Sequence, residues 1–329
     1  MNKVFVTGAD GMLGNSVCRE LTKLNYVVKA FCLNKKCSKM LEGLGIEIVY
    51  GDVLDKDKVL QEMINCDYVI HMAAMIRLWP RKSSLMRDVN IKGTLNVMES
   101  AKLLKIKRMV HISSAIAFGY GTKLKPGNEN SPFIGKKFGL DYIDSKYEAQ
   151  ERLLQEYKRS QFPVIIINPT FMIGPFDACP SSGKMILGLY MKSIPGYASG
   201  GKNFVCSEDV AIAIVNALVL GKIGECYIAG NENLTYKEFF SKTSKVLKMK
   251  FSINKIPYWL ILIAGAINSV MARITRKEPK LSFGMARMAN IEQYYSCEKA
   301  KTELEMPSTP IEVGIQRSID WFKQNNYMK

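Results

Sequence analysis

Short continuous apolar runs alternate along this chain with stretches whose apolar positions recur every three or four residues. The runs at 4–6, 26–33, 46–50, 68–72, 109–112 and 164–167 predict six strands. Helical patterns lie between them, first through Val17, Cys18, Leu21 and Leu24, then over 57–64, 83–106 and 142–159. Near-continuous apolar strands separated by helices predict a doubly wound α/β fold of Rossmann type, its parallel sheet covered on both faces. After Asn168-Pro169 the rhythm changes, and 170–203 carries Gly, Pro and Ser with no clear βα unit. It returns at Phe204-Val205, a helix over 208–220 and a strand at Tyr227-Ile228. Residues 229–309 read as mostly helical, and 311–324 as a last helix.

The first strand runs straight into Thr7-Gly8-Ala-Asp-Gly11-Met12-Leu13-Gly14, where a helix begins. Strand, glycine turn and helix N-terminus together make a phosphate cradle. Gly8 permits the tight turn, Gly11 lets backbone approach a pyrophosphate, and Gly14 allows close helix–strand packing. Met12 and Leu13 stand at the helix start, where free N–H groups and the positive dipole end suit an anion. The spacing is TGxxGxxG, not the GxGxxG of most dinucleotide dehydrogenases. The pattern thus predicts a dinucleotide-binding domain over 1–168, to which 203–228 returns. A smaller, mostly helical substrate-binding part comprises 169–202 and 229–329.

The end of the second strand selects the cofactor. An acidic residue there would hold the ribose 2′-hydroxyl of NAD, whereas basic residues accept the 2′-phosphate of NADP. No acidic residue occurs from 25 to 41, and Asn34, Lys35, Lys36 and Lys39 stand in that place. The expectation is NADP, with NAD the alternative if the lysines form only a solvated loop. Ala73-Ala74, at the end of the fourth strand, leave room for a ligand at the sheet's carboxyl edge.

Tyr142 and Lys146 lie four apart on a helix, hence on one face. An ammonium nearby would lower the phenol's pKa toward neutrality, and such a tyrosine exchanges a proton with a carbonyl or hydroxyl oxygen while hydride moves at carbon. Ser114, closing the fifth strand, can hold that oxygen. Tyr295 and Lys299 repeat the spacing but sit in the C-terminal tail, far from the glycine loop in sequence.

The 329 residues are 47% hydrophobic, enough for one large or two modest domains. The net charge is +16, yet the basic residues are spread without a nucleic-acid-binding motif, so an anionic cofactor or membrane face fits better than nucleic acid. Two histidines and eight scattered cysteines without a CxxC pair form no metal set. Reduced thiols, and a first strand so close to the start that no signal peptide fits, predict a cytoplasmic protein.

TGADGMLG at 7–14, GDV at 51–53, HMAA at 71–74, VNIKGT at 89–94, HISSA at 111–115, YIDSK at 142–146 and INPTFMIGP at 167–175 occur in one order. That order resembles the extended short-chain dehydrogenase/reductases, the NAD(P)-dependent epimerase/dehydratase superfamily, and covers nearly the whole chain. AAMIRLW at 73–79, YIAGNENLT at 227–235 and the 257–279 stretch resemble the branch of dihydroflavonol-reductase-like proteins, hopanoid-associated epimerase-like proteins and 3β-hydroxysteroid dehydrogenases. The resemblance implies an oxidoreductase with Ser114 as catalytic hydroxyl, Tyr142 as acid/base and Lys146 also on the nicotinamide ribose. It implies Gly8, Gly11 and Gly14 at the pyrophosphate, Asp52 and Val53 at the adenine, and Ala73 and Ala74 in backbone contacts. Asn90 joins this cofactor set, as do Pro169 and Thr170 near the nicotinamide. A homodimer through a helix pair is also common in the family.

Departures from the family narrow the substrate. Ala115-Ile116 replace the acidic pair of sugar-nucleotide dehydratases, while Phe118 and Phe171 replace the Tyr and Asn of nucleotide-sugar epimerases. The expected substrate is small and mainly apolar or lipid-like, with Met75, Arg77 and Phe171 as its neighbours. Leu33 stands where dihydroflavonol reductases commonly have a phosphate-binding Arg. Two alternatives remain: an epimerase of sugars or nucleotide sugars holding NAD tightly, and a non-catalytic nicotinamide-binding sensor or assembly protein. Residues 258–272, flanked by basic residues, fit either a buried helix or, through 257–280, a peripheral anchor on the inner face of the membrane.

Overall fold

The computed structural model describes residues 2–328, apart from the side chains of Lys36 and Cys37. Its centre is a seven-stranded parallel sheet. The strands are β1 (Lys3–Thr7), β2 (Val27–Cys32), β3 (Glu47–Tyr50), β4 (Tyr68–His71), β5 (Arg108–Ile112), β6 (Val164–Pro169) and a last strand, Cys226–Ala229. Across the sheet the order is the Cys226–Ala229 strand, β6, β5, β4, β1, β2, β3. Val4, Phe5, Val6 and Ile165 to Ile167 are wholly buried, as strands covered on both faces require. Each such side chain contributes roughly 1.5–3 kcal/mol of burial free energy. Helices Met12–Lys23 and Ser207–Ala217 pack together, and Lys56–Met63, Gly93–Leu103 and Asp141–Ser160 form the second helical layer.

The chain adds β2 and β3 on one side of β1, then crosses to place β4 on the other. The loops leaving β1 and β4 therefore diverge and open a crevice at the sheet's carboxyl edge, where ligands bind in such folds. From β6 the chain turns at Thr170 into Phe171–Ile173, part of a second, four-stranded sheet.

Three elements differ from the sequence pattern. The helix expected over 83–106 is broken into Ser84–Arg87, a π-helical turn Asp88–Lys92 and Gly93–Leu103. The wide turn carries Asn90 into the interior, where its amide finds partners. The strand around Phe204-Val205, Gly201–Cys206, joins the second sheet; only the helix after it and Cys226–Ala229 return to the first. The buried-helix reading of 258–272 is overturned: Tyr258–Thr275 buries only Ile261, Gly265 and Ala272.

Candidate active site

Gly8 has φ +68°, a left-handed conformation, and a Cβ there would lie 2.7 Å from the Ala73 nitrogen. A Cβ on Gly14 would collide with the Gly8 carbonyl and Ala9 backbone. Around Gly11 the protein leaves space, its nearest neighbour for a Cβ being the Gly8 oxygen at 3.5 Å. The first intrahelical bond is Asn15 N–H to the Gly11 carbonyl at 2.9 Å, and no side chain caps this end. The N–H groups of Met12, Leu13 and Gly14 therefore have no carbonyl of their own helix to bond. Crowded glycines on the protein side and an open one on the crevice side fit a pyrophosphate.

Beneath this loop a buried chain of hydrogen bonds locks β1 to β4. The Ala73 N–H donates to Thr7 Oγ1 (3.2 Å), Thr7 Oγ1 meets His71 Nδ1 (2.7 Å), and His71 Nε2 meets Thr94 Oγ1 (3.0 Å). Thr94 gives its proton to the Asn90 carbonyl at 2.7 Å. That assigns the tautomer: Nε2 carries the imidazole proton and Nδ1 accepts from Thr7. Burial, with the Lys146 charge adding to it, pushes His71 down to about 3, so the ring is neutral. His111 stacks on it at 5.3 Å and is likewise held neutral by burial.

On the far side of the crevice, Tyr142 and Lys146 lie one turn apart on the Asp141–Ser160 helix. Lys146 is buried and donates to the Ile112 carbonyl at the end of β5 (2.8 Å). The Ser114 hydroxyl accepts from Ile116 N–H (3.5 Å) just past the end of β5, the strand that Lys146 grips. Asn168 Nδ2 holds this arrangement, donating to the Ser114 carbonyl (3.0 Å) and to Gln150 Oε1 on the helix (2.7 Å). One expectation is reversed: burial pushes the Tyr142 phenol above its ordinary value, and Ser114 only partly offsets this. Lys146 spends its ammonium on a carbonyl, and burial lowers its own pKa to about 8. The trio offers an oriented hydroxyl, a protonated phenol and a buried cation.

Asn90 sits between the two sides. Its Oδ1 accepts from Met75 N–H (2.7 Å), and its Nδ2 donates to the Met75 carbonyl (3.1 Å) and Ser145 Oγ (2.9 Å). Those side-chain atoms are engaged within the protein, tying the loop after β4 to the Tyr142 helix. Val53 is buried against Gly93, while Asp52 is exposed and accepts from Leu54 N–H. Lys35 and Asn34 are exposed after β2. Pro169 ends β6, and Thr170 Oγ1 donates to Asn203 Oδ1 at 2.8 Å. Arg77 is exposed, Met75 and Ala74 partly so, and Phe171 packs edge-on against Phe204. Tyr295 is buried at a bridge to Gly127, and Lys299 pairs with Glu225, away from the trio.

The sequence reading missed Lys202. Its amine lies over the Phe171 ring, donates to Gln293 Oε1 (2.7 Å), and has its pKa lowered by burial to about 8. The signal was a lone lysine in a run otherwise headed for the interior. A cavity of about 650 Å³ between the Met12–Lys23 and Ser207–Ala217 helices, bordered by Arg19, Phe176 and Arg317, contains none of the expected site residues.

The model of the NAD dependent epimerase/dehydratase family matches residues 4–230. A Synechocystis sp. protein that carries a dihydroflavonol 4-reductase name is 29% identical over 99% of this chain and 96% of its own. A Candida albicans sterol-4-alpha-carboxylate 3-dehydrogenase (decarboxylating) is 25% identical over 99% of each chain. The solved structure of gox2253 superposes with a TM-score of 0.87 at 29% identity, covering both chains completely.

Proposed function

Because the chain belongs to the NAD dependent epimerase/dehydratase family, we propose that this NAD(P)-dependent enzyme interconverts a ketone and a secondary alcohol on a small, mainly apolar or lipid-like substrate. The observation that carries the reading is Tyr142 and Lys146 one turn apart on one helix, with Lys146 bonded to the end of the strand that Ser114 follows. The nicotinamide, when bound, supplies or takes the hydride. Tyr142 exchanges the proton at the substrate oxygen, Ser114 orients that oxygen, and Lys146 holds positive charge beside the nicotinamide ribose. Gly8, Gly11, Met12, Leu13 and Gly14 would hold the pyrophosphate, and Asn34 and Lys35 the 2′-phosphate of NADP. Phe118 and Phe171 stand where nucleotide-sugar epimerases carry Tyr and Asn, which supports an apolar substrate, as does the sterol carboxylate in one relative's name.

The test is to purify the protein without added cofactor, denature it and identify any nucleotide released. The expected result is an empty protein that then binds NADPH more tightly than NADH. Stoichiometric NAD would overturn the reading in favour of an epimerase with a resident cofactor. Binding neither would make the chain non-catalytic.

A further inference from the structure

The Tyr258–Thr275 helix inverts the usual arrangement of a helix on a globular protein. Its inward face is narrow and built from Ile261, Gly265 and Ala272. Gly265 has no Cβ to hold off Ala286, and Ser269 Oγ accepts the Phe283 N–H (2.8 Å), so the helix lies close on Phe283–Met288. Its outward face carries Trp259, Ile263, Ile267, Val270, Met271 and Ile274, each at least half exposed. Steps of four, four, three and four connect Trp259, Ile263, Ile267, Val270 and Ile274, which makes one continuous stripe along about 22 Å of helix. Soluble surfaces rarely leave such a stripe uncovered.

Charge says what covers it. Residues 250–280 contain six basic side chains, Lys250, Lys255, Arg273, Arg276, Lys277 and Lys280, against one acid, Glu278, and all seven are exposed. An apolar stripe flanked by basic residues matches an anionic bilayer surface, with its acyl chains below and its phosphates level with the lysines and arginines. The other face of the helix is fixed to protein, so the helix lies in the plane of the surface and does not cross it.

We propose that this face docks the protein on an anionic lipid bilayer. The same seat reaches the active site. Met288, on the helix beneath, shares an apolar cluster with Phe138, Leu140 and Ile143, against which Tyr142 packs. Docking therefore brings the apolar approach to Tyr142 near the lipid. The docking itself does not depend on which substrate is turned over.

The full-length protein is sedimented with vesicles of phosphatidylcholine alone and of phosphatidylcholine with phosphatidylglycerol. Binding to the anionic vesicles is expected, weakening about fivefold for each of Arg273, Arg276 and Lys277 changed to Gln. Trp259 emission shifts to the blue on binding. The double change Ile263→Glu with Ile267→Glu abolishes binding, while circular dichroism and nucleotide binding stay unchanged because both residues face outward. No binding to anionic vesicles, or binding that the double variant retains, overturns the proposal. A concentration-dependent dimer that the double variant dissociates, without vesicle binding, assigns the face to a second copy of the chain instead.

Discussion

Replacing Asn90 by Ala separates two roles for a residue that the family pattern puts among the cofactor contacts. The amide makes three hydrogen bonds of 2.7 to 3.1 Å, two to the Met75 backbone and one to Ser145 Oγ. Truncation strands the Met75 N–H and carbonyl in a partly buried loop and leaves Ser145 with only its bond to the Tyr142 carbonyl (3.1 Å). At roughly 1 kcal/mol for each bond lost, the cost is about 3 kcal/mol. Unfolding entropy of about 2.1 cal/mol/K per residue over the 329 residues turns that into a fall in Tm of about 4 °C. The loop after β4 and the Tyr142 helix also lose their tie, so kcat should fall by at least about tenfold. The Kd for the nucleotide should stay within about threefold, because the amide reaches protein groups only. Thermal unfolding, titration with NADPH and steady-state kinetics on one preparation give all three values. An unchanged Tm with a collapsed nucleotide affinity would refute the positioning argument and restore Asn90 as a direct cofactor contact.

Tyr142→Phe should abolish turnover and leave nucleotide affinity nearly intact; undiminished turnover removes Tyr142 from the chemistry. Gly8→Ala forces a Cβ into the Ala73 backbone at a left-handed φ, costing about 1–2 kcal/mol in backbone strain alone; nucleotide Kd should rise at least tenfold, and an unchanged Kd would mean that the loop does not hold the nucleotide. Burial alone would raise the Glu156 pKa, but Lys102, Ser160 and Arg159 hold it at about 2, below the ordinary 4.5. Its stabilisation is therefore complete above the ordinary value and lost as pH falls toward about 2. The urea midpoints of the parent and Glu156→Gln should differ most near neutrality and converge in acid, and a constant gap would contradict the assignment.

What was legible in the sequence was what short-range geometry dictates. Gly8 and Gly14 are glycines because neighbouring backbone leaves no room for a Cβ, and such a need shows at fixed spacing next to a strand. The parallel sheet was legible because strands buried on both faces must be apolar throughout. The Tyr142 phenol's protonation was not, because it depends on which groups face it. Lys146 shares its helix face but turns its amine to the Ile112 carbonyl. Nor was the orientation of Tyr258–Thr275 legible. Apolar residues surround the helix, so periodicity does not mark an inner side, and contact goes to the small Gly265 and Ala272 while the large side chains point out. The Gly201–Cys206 strand looked like a return to the first sheet because its composition suits either sheet, and pairing alone decides.

The protonation states also separate the two directions of the proposed reaction. Ketone reduction needs a phenol that gives its proton, and burial holds Tyr142 in that state. Alcohol oxidation needs the phenolate, which burial opposes and which no positive charge among the described residues offsets strongly, since Lys146 is itself pulled down to about 8. Raising the pH through 8 removes the Lys146 charge before the phenol ionises, so alkaline conditions withdraw the one buried cation nearby just as they begin to favour the base. Reduction should therefore run at a level rate through neutrality and decline above about pH 8, as the Lys146 charge is lost. Oxidation should be slow at neutrality and should lack the simple tenfold rise per pH unit that a lone tyrosine base would give. Lys146→Met should flatten the decline in the reductive direction, because the group that titrates is gone. A reductive profile in the variant that still breaks near pH 8 would place the titrating group elsewhere and remove the link between Lys146 and the Tyr142 proton.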